Sequence, residues 1–237
     1  MEFTRTTSSN CRNQSNRAGE FFSKLTPAAS QDLQSMQFPS SYAANVVIFS
    51  EKDPVHGIYI VLEGEVKISI NSSDGRRLSL SIARKGEILG MASTLSGSPY
   101  DVTAETLYPA KVAHIGRRDF LSFLARHPEA YQTVIEELSR NVSQACDQLR
   151  TVGLSATAPE KLARLLLDWS ENGQVTECGG MRFRFSMTHE EIGEFIGASR
   201  ETVTRTLSTF KTRRLVAFQG SMITIPSRTA LANYAHA

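Results

Sequence analysis

The hydrophobic rhythm of the chain changes twice. Residues 20–36, "EFFSKLTPAASQDLQSM", carry helical spacing, with Thr26 and Pro27 in the N-cap and first-turn roles of a second helical piece. From about 46 to 115 the runs become short and strand-like. "NVVIFS" is one strand. "HGIYIVLEGEVKISINSSDGRRLSLSIA" reads as three strands broken at Glu63-Gly64 and Asp74-Gly75, and "PAKVAHI" closes the set. An Asp-Gly pair between alternating runs is a strong hairpin signal, and several short strands in series predict an antiparallel barrel or roll.

The period then lengthens. "RRDFLSFLARHPEAYQTVIEELSRNVSQACDQLRTV" places Ile135, Leu138, Val142, Ala145, Leu149 and Val152 at alternating steps of three and four. So narrow a seam suits a helix paired with its own copy. A helix packed on its own domain would carry a wider apolar stripe. "GLSATAPE", with Gly153 and Pro159, reads as a hinge. "KLARLLLDWSEN" is a buried helix stopped at Asn172-Gly173, and "QVTECGGMRFRFS" is a Gly-Gly hairpin. The breaks predict a flexible polar tail over 1–19, a roll over 20–127, a long pairing helix over 128–153, a hinge over 154–159 and a second domain over 160–237.

Bulk composition narrows the function classes. With 237 residues, 41% of them hydrophobic, the chain can bury a sizeable core. The formal charge is only +2, so any nucleic-acid contact must come from a local patch. Cys11, Cys146 and Cys178 are scattered, which suggests neither a disulfide framework nor a zinc site and fits a reducing cytoplasm. No apolar run is long enough to predict a membrane span, and the polar N-terminus lacks the core of a secretory signal.

The informative stretch is "THEEIGEFIGASRETVTRTL". Thr188 and Glu191 have capping-box spacing, and Ile192, Phe195 and Ile196 form an apolar face. Gly197 permits a reversal, Ser199 caps a second helix, and Ala198 and Val203 can form a hydrophobic staple across that cap. Val203, Leu207 and Phe210 then face inward, leaving Arg200, Glu201, Thr204 and Arg205 on the opposite side. This is a helix-turn-helix pattern, whose second helix offers its N-terminal residues to the major groove. Arg can bond guanine O6 and N7, and Glu can accept from cytosine N4. Hydroxyls at Ser199, Thr202 and Thr204 suit phosphate or base contacts. Between 200 and 214 five cations (Arg200, Arg205, Lys211, Arg213 and Arg214) face one anion, Glu201, a local excess of four that the overall charge conceals. "LVAFQGSMITIP" follows as two strands around Gln219-Gly220, the wing of a winged helix-turn-helix. A generic amphipathic helical hairpin would explain the apolar faces but not the caps, the basic cluster and the wing together.

In this order of elements, from about residue 20 onward, the chain resembles the Crp–Fnr family of bacterial transcription regulators. "EIGEFIGASRETVTRTL" is similar to the recognition segment of cyclic-AMP receptor proteins, and "GSMITIPSRTAL" to the ending of the Fnr branch. The resemblance implies an α+β fold: an N-terminal antiparallel β-roll of the cyclic-nucleotide-binding kind, a long dimerisation helix and a C-terminal winged helix-turn-helix. It implies base reading by Arg200, Glu201 and Arg205, and backbone contacts by Thr188, His189, Ser199, Thr202 and Gln219, to which the residue reading adds Thr204 and Lys211. It implies an inverted repeat with TGTGA-like half-sites, a homodimer on double-stranded DNA, and RNA polymerase as a further partner.

The effector site departs from the family. In "KGEILGMASTLSGSPYDVTAETL", Gly86 and Gly90 match, and Ala92 follows in the same segment. Met91 replaces the ribose-binding Glu, and Tyr100 and Asp101 replace the phosphate-binding Arg-Ser pair. Ala145 and Cys146 replace the Thr-Ser pair that reads adenine. A phosphodiester needs a cation or donor there, which argues against cyclic AMP. An iron–sulfur cluster needs four thiolates, and only Cys11 lies near the N-terminus. His56, His114 and Cys146 leave haem open, although an isolated His is more often simply hydrogen-bonded. Cys146 is a redox-sensor candidate, or a small interface residue. No nucleophile–base pair or metal-ligand spacing points to an enzyme. The expectation is a DNA-binding regulator whose roll senses an unidentified ligand or none, and whose hinge sets the spacing of two recognition helices. The competing expectation is a ligand- or redox-sensing module with weak or conditional DNA binding.

Overall fold

The computed structural model describes residues 20–73, 75–153, 157–171, 173–176, 179–185 and 187–235. The tail over 1–19, Asp74 of the expected turn, hinge residues 154–156, Asn172, Cys11 and Cys178 lie outside the described residues. The chain opens with helices α1 (Glu20–Lys24) and α2 (Pro27–Ser35), then strands β1 (Phe38–Tyr42), β2 (Val47–Phe49), β3 (Gly57–Glu63), β4 (Val66–Asn71), β5 (Arg77–Ala83) and β6 (Ile88–Leu89). Helix α3 (Met91–Ser96), strands β7 (Thr103–Thr106) and β8 (Ala110–Gly116), and helices α4 (Arg117–Arg126) and α5 (Ala130–Gly153) complete the first half. The second half holds α6 (Ala158–Ser170), β9 (Gln174–Val175), β10 (Met181–Arg184), α7 (His189–Ile196), α8 (Arg200–Thr212), β11 (Ala217–Gln219), β12 (Met222–Ile225) and α9 (Arg228–Ala235).

The roll is two four-stranded antiparallel sheets, in the orders β1-β8-β3-β6 and β2-β7-β4-β5. Thus β3 and β4, consecutive in sequence, belong to different sheets, and the Glu63-Gly64 turn is a crossing corner rather than a hairpin. Gly64 has φ 87°, and a Cβ there would stand 2.7 Å from the Pro109 carbonyl oxygen, so the corner requires glycine. By contrast β4 and β5 do pair, from Val66 opposite Ala83 to Asn71 opposite Arg77. Strand β1 lies just outside the region whose pattern read as strand. Its residues are exposed but for half-buried Tyr42, so no apolar alternation marks it.

The long helical stretch is broken at 127–129, where His127 caps α4 before α5 begins at Ala130. Ala158 and Pro159, expected in the hinge, form the first turn of α6 instead. Thr157 caps that turn reciprocally with Glu160, and Pro is well suited to a first turn because no partner is needed for its missing N–H.

The winged domain packs onto the roll. Ile82 and Leu107 of the roll are buried in one cluster with Leu162, Phe195, Phe210 and Ile223. A polar seam borders it. Lys67 on β4, 4% exposed, places its ammonium 3.1 Å from Glu194 Oε2 on α7. Ser79 Oγ donates to the same carboxylate at 3.1 Å. Gln148 on α5 donates both to the Ser79 carbonyl (2.9 Å) and to that of Phe195 (2.8 Å), tying roll, long helix and α7 together.

Candidate nucleic-acid interface and roll cavity

Helices α7 and α8 are built as their caps predict. The Thr188 hydroxyl accepts from Glu191 N–H (3.2 Å) while Glu191 accepts from Thr188 N–H (2.7 Å). Gly197 ends α7 at φ 63°, and Ser199 Oγ accepts from Thr202 N–H at 3.3 Å. Val203, Leu207 and Phe210 are buried beneath α8. Their burial turns Arg200, Glu201, Thr204, Arg205, Ser208 and Thr209 outward, where they line one open groove. Hydrogen bonds from its own backbone, then from Ser199, and the neighbouring Arg200 charge hold the Glu201 carboxyl below its usual range, so it stands ionised as an acceptor.

The expected backbone-contacting residues lie around this groove. Thr188, Ser199 and Lys211 are exposed at helix ends, Thr202 is half-buried behind the cap, and Gln219 is exposed on the wing, where Arg182 donates to its side chain at 3.1 Å. His189 Nδ1 lies 2.7 Å from Thr204 Oγ1, which itself donates to the Arg200 carbonyl. This link joins α7 to α8, fifteen residues apart, and sequence spacing gave no hint of it.

The seam on α5 divides in two. Ile135, Val142 and Leu149, seven residues apart, are 59%, 64% and 65% exposed. Leu138, Ala145 and Val152, also seven apart, are half-buried against their own chain. Leu138 packs on the roll core, Ala145 lines a cavity, and Val152 approaches Gly197. The first row, with exposed Tyr131 beside it, is left uncovered by the described residues. Of the six expected seam residues, one row is therefore exposed and the other is partly covered by its own chain.

That cavity, of about 220 Å³, lies between β4, β5, β6 and α3 of the roll and the middle of α5. Gly90, Met91, Ala92, Tyr100, Asp101 and Ala145, the expected effector-site residues, line it. Cys146 does not. It follows Ala145 around the helix and faces solvent. Glu137, Asn141 and Gln144 join Ala145 at helical spacing on the cavity wall, a periodic polar stripe that could have been read from the sequence. Ser81, Glu87 and Ser93 add to the polar lining.

Tyr100 is fully buried and stacked on Phe49 at 4.1 Å between ring centroids. Its hydroxyl donates to the Gly57 carbonyl at 2.8 Å and accepts from His56 N–H (3.1 Å) and Gly57 N–H (3.2 Å). Gly90, at φ 73°, makes room for the ring, since a Cβ there would lie 2.8 Å from Tyr100 Cε1. The side chain at the expected phosphate position is therefore an aromatic wall with its polar atom satisfied elsewhere. All charged lining residues among those described (Glu87, Asp101 and Glu137) are acids, a set that does not fit a phosphodiester.

His56 and His114 lie at one end of the β3–β8 pair, and neither lines the cavity. Among the described residues, no group of three or more His, Cys, Asp or Glu is placed to hold a metal ion. Nor is any described helix long and apolar enough to cross a membrane.

A two-sheet roll, a long helix and a capped, winged helix-turn-helix with a polar outer face define a DNA-binding transcription regulator, not an enzyme. Residues 39–127 match the cyclic nucleotide-binding domain model, and residues 160–234 the Crp-like helix-turn-helix domain model. The chain belongs to the Crp–Fnr family of transcription regulators, which is typically dimeric. It is 28% identical over 219 residues to a CRP-like cAMP-activated global transcriptional regulator of Mycobacterium tuberculosis, covering 92% of this chain and 97% of that one. The nitrogen fixation regulation protein FixK of Bradyrhizobium diazoefficiens is 27% identical over 201 residues, covering 85% and 83%. The structure of FixK2 from Bradyrhizobium japonicum superposes with a TM-score of 0.73 at 26% identity, over 84% of this chain and 96% of that one.

Proposed function

We propose that the protein binds an inverted repeat with TGTGA-like half-sites as a homodimer and that cyclic AMP does not control it. The observation that carries the reading is the outward face of α8, where Arg200, Glu201 and Arg205 stand together on a helix fixed by caps at both its turns. Two arginines and one carboxylate of this kind read guanine and cytosine edges, and in this reading Thr188, His189, Ser199, Thr202, Thr204, Lys211 and Gln219 contact the phosphate backbone. The exposed row Ile135, Val142 and Leu149 supports pairing of α5 with its copy, and a two-fold protein matches a near-palindromic site. RNA polymerase is the further partner that family membership suggests.

The relative from Mycobacterium tuberculosis is described as cAMP-activated. Carrying that effector over is opposed by the acidic and aromatic lining of the cavity, since an anionic phosphodiester would be desolvated there without a cation. Fluorescence anisotropy of the full chain on a TGTGA inverted repeat, with no nucleotide added, tests the reading. Sequence-preferring binding unchanged by cyclic AMP is expected. Equal binding to a scrambled duplex, or binding only with cyclic AMP, overturns it and favours the conditional sensing module.

A further inference from the structure

The cavity between the roll and α5 has a charge pattern that selects its occupant. Each of its acids is already partnered or solvated. Glu137, 4% exposed, is paired with Arg140 at 2.9 Å. Glu87 accepts from Arg84 N–H at 2.9 Å. Asp101 is exposed. An incoming anion would meet three carboxylates and no cation among the described lining residues. An incoming cation would compete with the bonds Glu137 and Glu87 already make.

The remaining surface is different in kind. Ile68, Leu80, Ile88, Leu89, Met91 and Val102 supply apolar walls, and Ser81, Ser93, Asn141 and Gln144 supply a few neutral hydrogen-bonding groups. Apolar walls with a few convergent polar groups are the usual chemistry of a small-molecule site. The volume of about 220 Å³ is below the roughly 300–1,000 Å³ of drug-sized pockets, which limits the occupant to one or two rings. Tyr100 seals the end where a phosphate would need a donor, because its hydroxyl is turned to the 56–57 backbone.

We propose that this cavity is a binding site for an uncharged, mainly apolar molecule of one or two rings, and excludes anionic cyclic nucleotides. This extends the reading above of a roll not controlled by cyclic AMP. The occupant touches the roll through Ser81 and Met91 and the long helix through Asn141 and Gln144. One turn beyond Gln144, Gln148 holds the Phe195 carbonyl of α7, so the site abuts the element that fixes the reading head.

Three probes sharing one ring system and differing in charge test the inference: naphthylacetamide, naphthylacetate and naphthylmethylamine, titrated calorimetrically into the full chain without DNA. The amide should bind saturably, once per chain and at least about tenfold more tightly than either ion, a gap of about 1.4 kcal/mol. Cyclic AMP at the same concentration should not displace it. Ala92→Trp, at an exposed position, and Ala145→Trp should each abolish amide binding, with circular dichroism melting to confirm folding. Ser81→Arg should turn the preference toward the acetate. Absence of saturable amide binding, displacement by cyclic AMP, or unaltered binding in both Trp variants overturns the proposal. Because no DNA is present, failure here is distinct from failure of half-site recognition.

Discussion

Replacing Lys67 with Met tests what joins the DNA-reading domain to the roll. Lys67 is 4% exposed, with its ammonium 3.1 Å from Glu194 and 3.9 Å from Glu105. Glu105 keeps a second cation, Arg77, at 2.7 Å. Glu194, whose side chain is 18% exposed, would keep only the Ser79 hydroxyl among the described residues. Removing one partner of a buried pair costs about 3–5 kcal/mol, and the residual solvent access of Glu194 places this case near about 3 kcal/mol. Replacing both partners with apolar groups removes the stranded charge, so Lys67→Met/Glu194→Leu should fall within about 1 kcal/mol of the parent. Urea unfolding can be followed through Trp169, the single tryptophan, which sits in the winged domain with the roll's Arg84 guanidinium 5.7 Å from its ring. If Glu194→Leu and Lys67→Met lose stability additively, the pair is not coupled and the electrostatic account of the docking fails.

Four further outcomes follow from the same structure. Arg205→Ala should cost about 1–3 kcal/mol of DNA affinity and relax preference at one base pair; equal weakening on every sequence would assign it to the backbone. Affinity should fall steeply between low and moderate salt, in line with several phosphate contacts, as read by anisotropy. Val142→Lys, in the middle of the exposed row, should convert the dimer to a monomer in light scattering, whereas a monomeric parent would refute the pairing of α5. Burial raises the Glu87 carboxyl above its usual value, so its contribution to stability is full below about pH 4.5 and is lost as pH rises through its folded value. Glu87→Gln should therefore stabilise the protein at neutral pH and flatten the pH dependence above that point, measured by urea unfolding at acid and neutral pH.

The helix-turn-helix was legible because its signals are local. Thr188 and Glu191 lie three residues apart, as do Ser199 and Thr202, and each pair closes a hydrogen bond within one helical turn. Gly197 and Gly220 announce reversals by conformations that only their own residue type adopts easily. The β4–β5 hairpin was legible for the same reason. The misread parts are a helix start, whose Thr157–Glu160 capping-box spacing went unread, and a rotation between neighbours on one helix. Pro159 looked like a hinge residue because a proline after a glycine and a serine reads as a break, yet Thr157 and Glu160 make it the start of a helix. Cys146 and Ala145 are neighbours in sequence, but about 100° of helical turn sends one to solvent and the other to the cavity. His56, His114 and exposed Cys146 lie away from the cavity lining.

The amino-acid order alone determined the roll, the long helix and the charged outer face of α8, because each rests on periodicity, caps and turn residues within a few positions of one another. Only the tertiary structure decided which apolar row of α5 faces outward, since both rows have the same seven-residue spacing and differ only in what the roll and α7 cover. It also decided that Lys67 meets Glu194 across 127 residues, and that Tyr100 turns its hydroxyl to the 56–57 backbone 43 and 44 residues away rather than into the cavity. No local pattern encodes such pairs. They arise when two sheets and a helix close on one another, and burial then settles which polar groups must find partners.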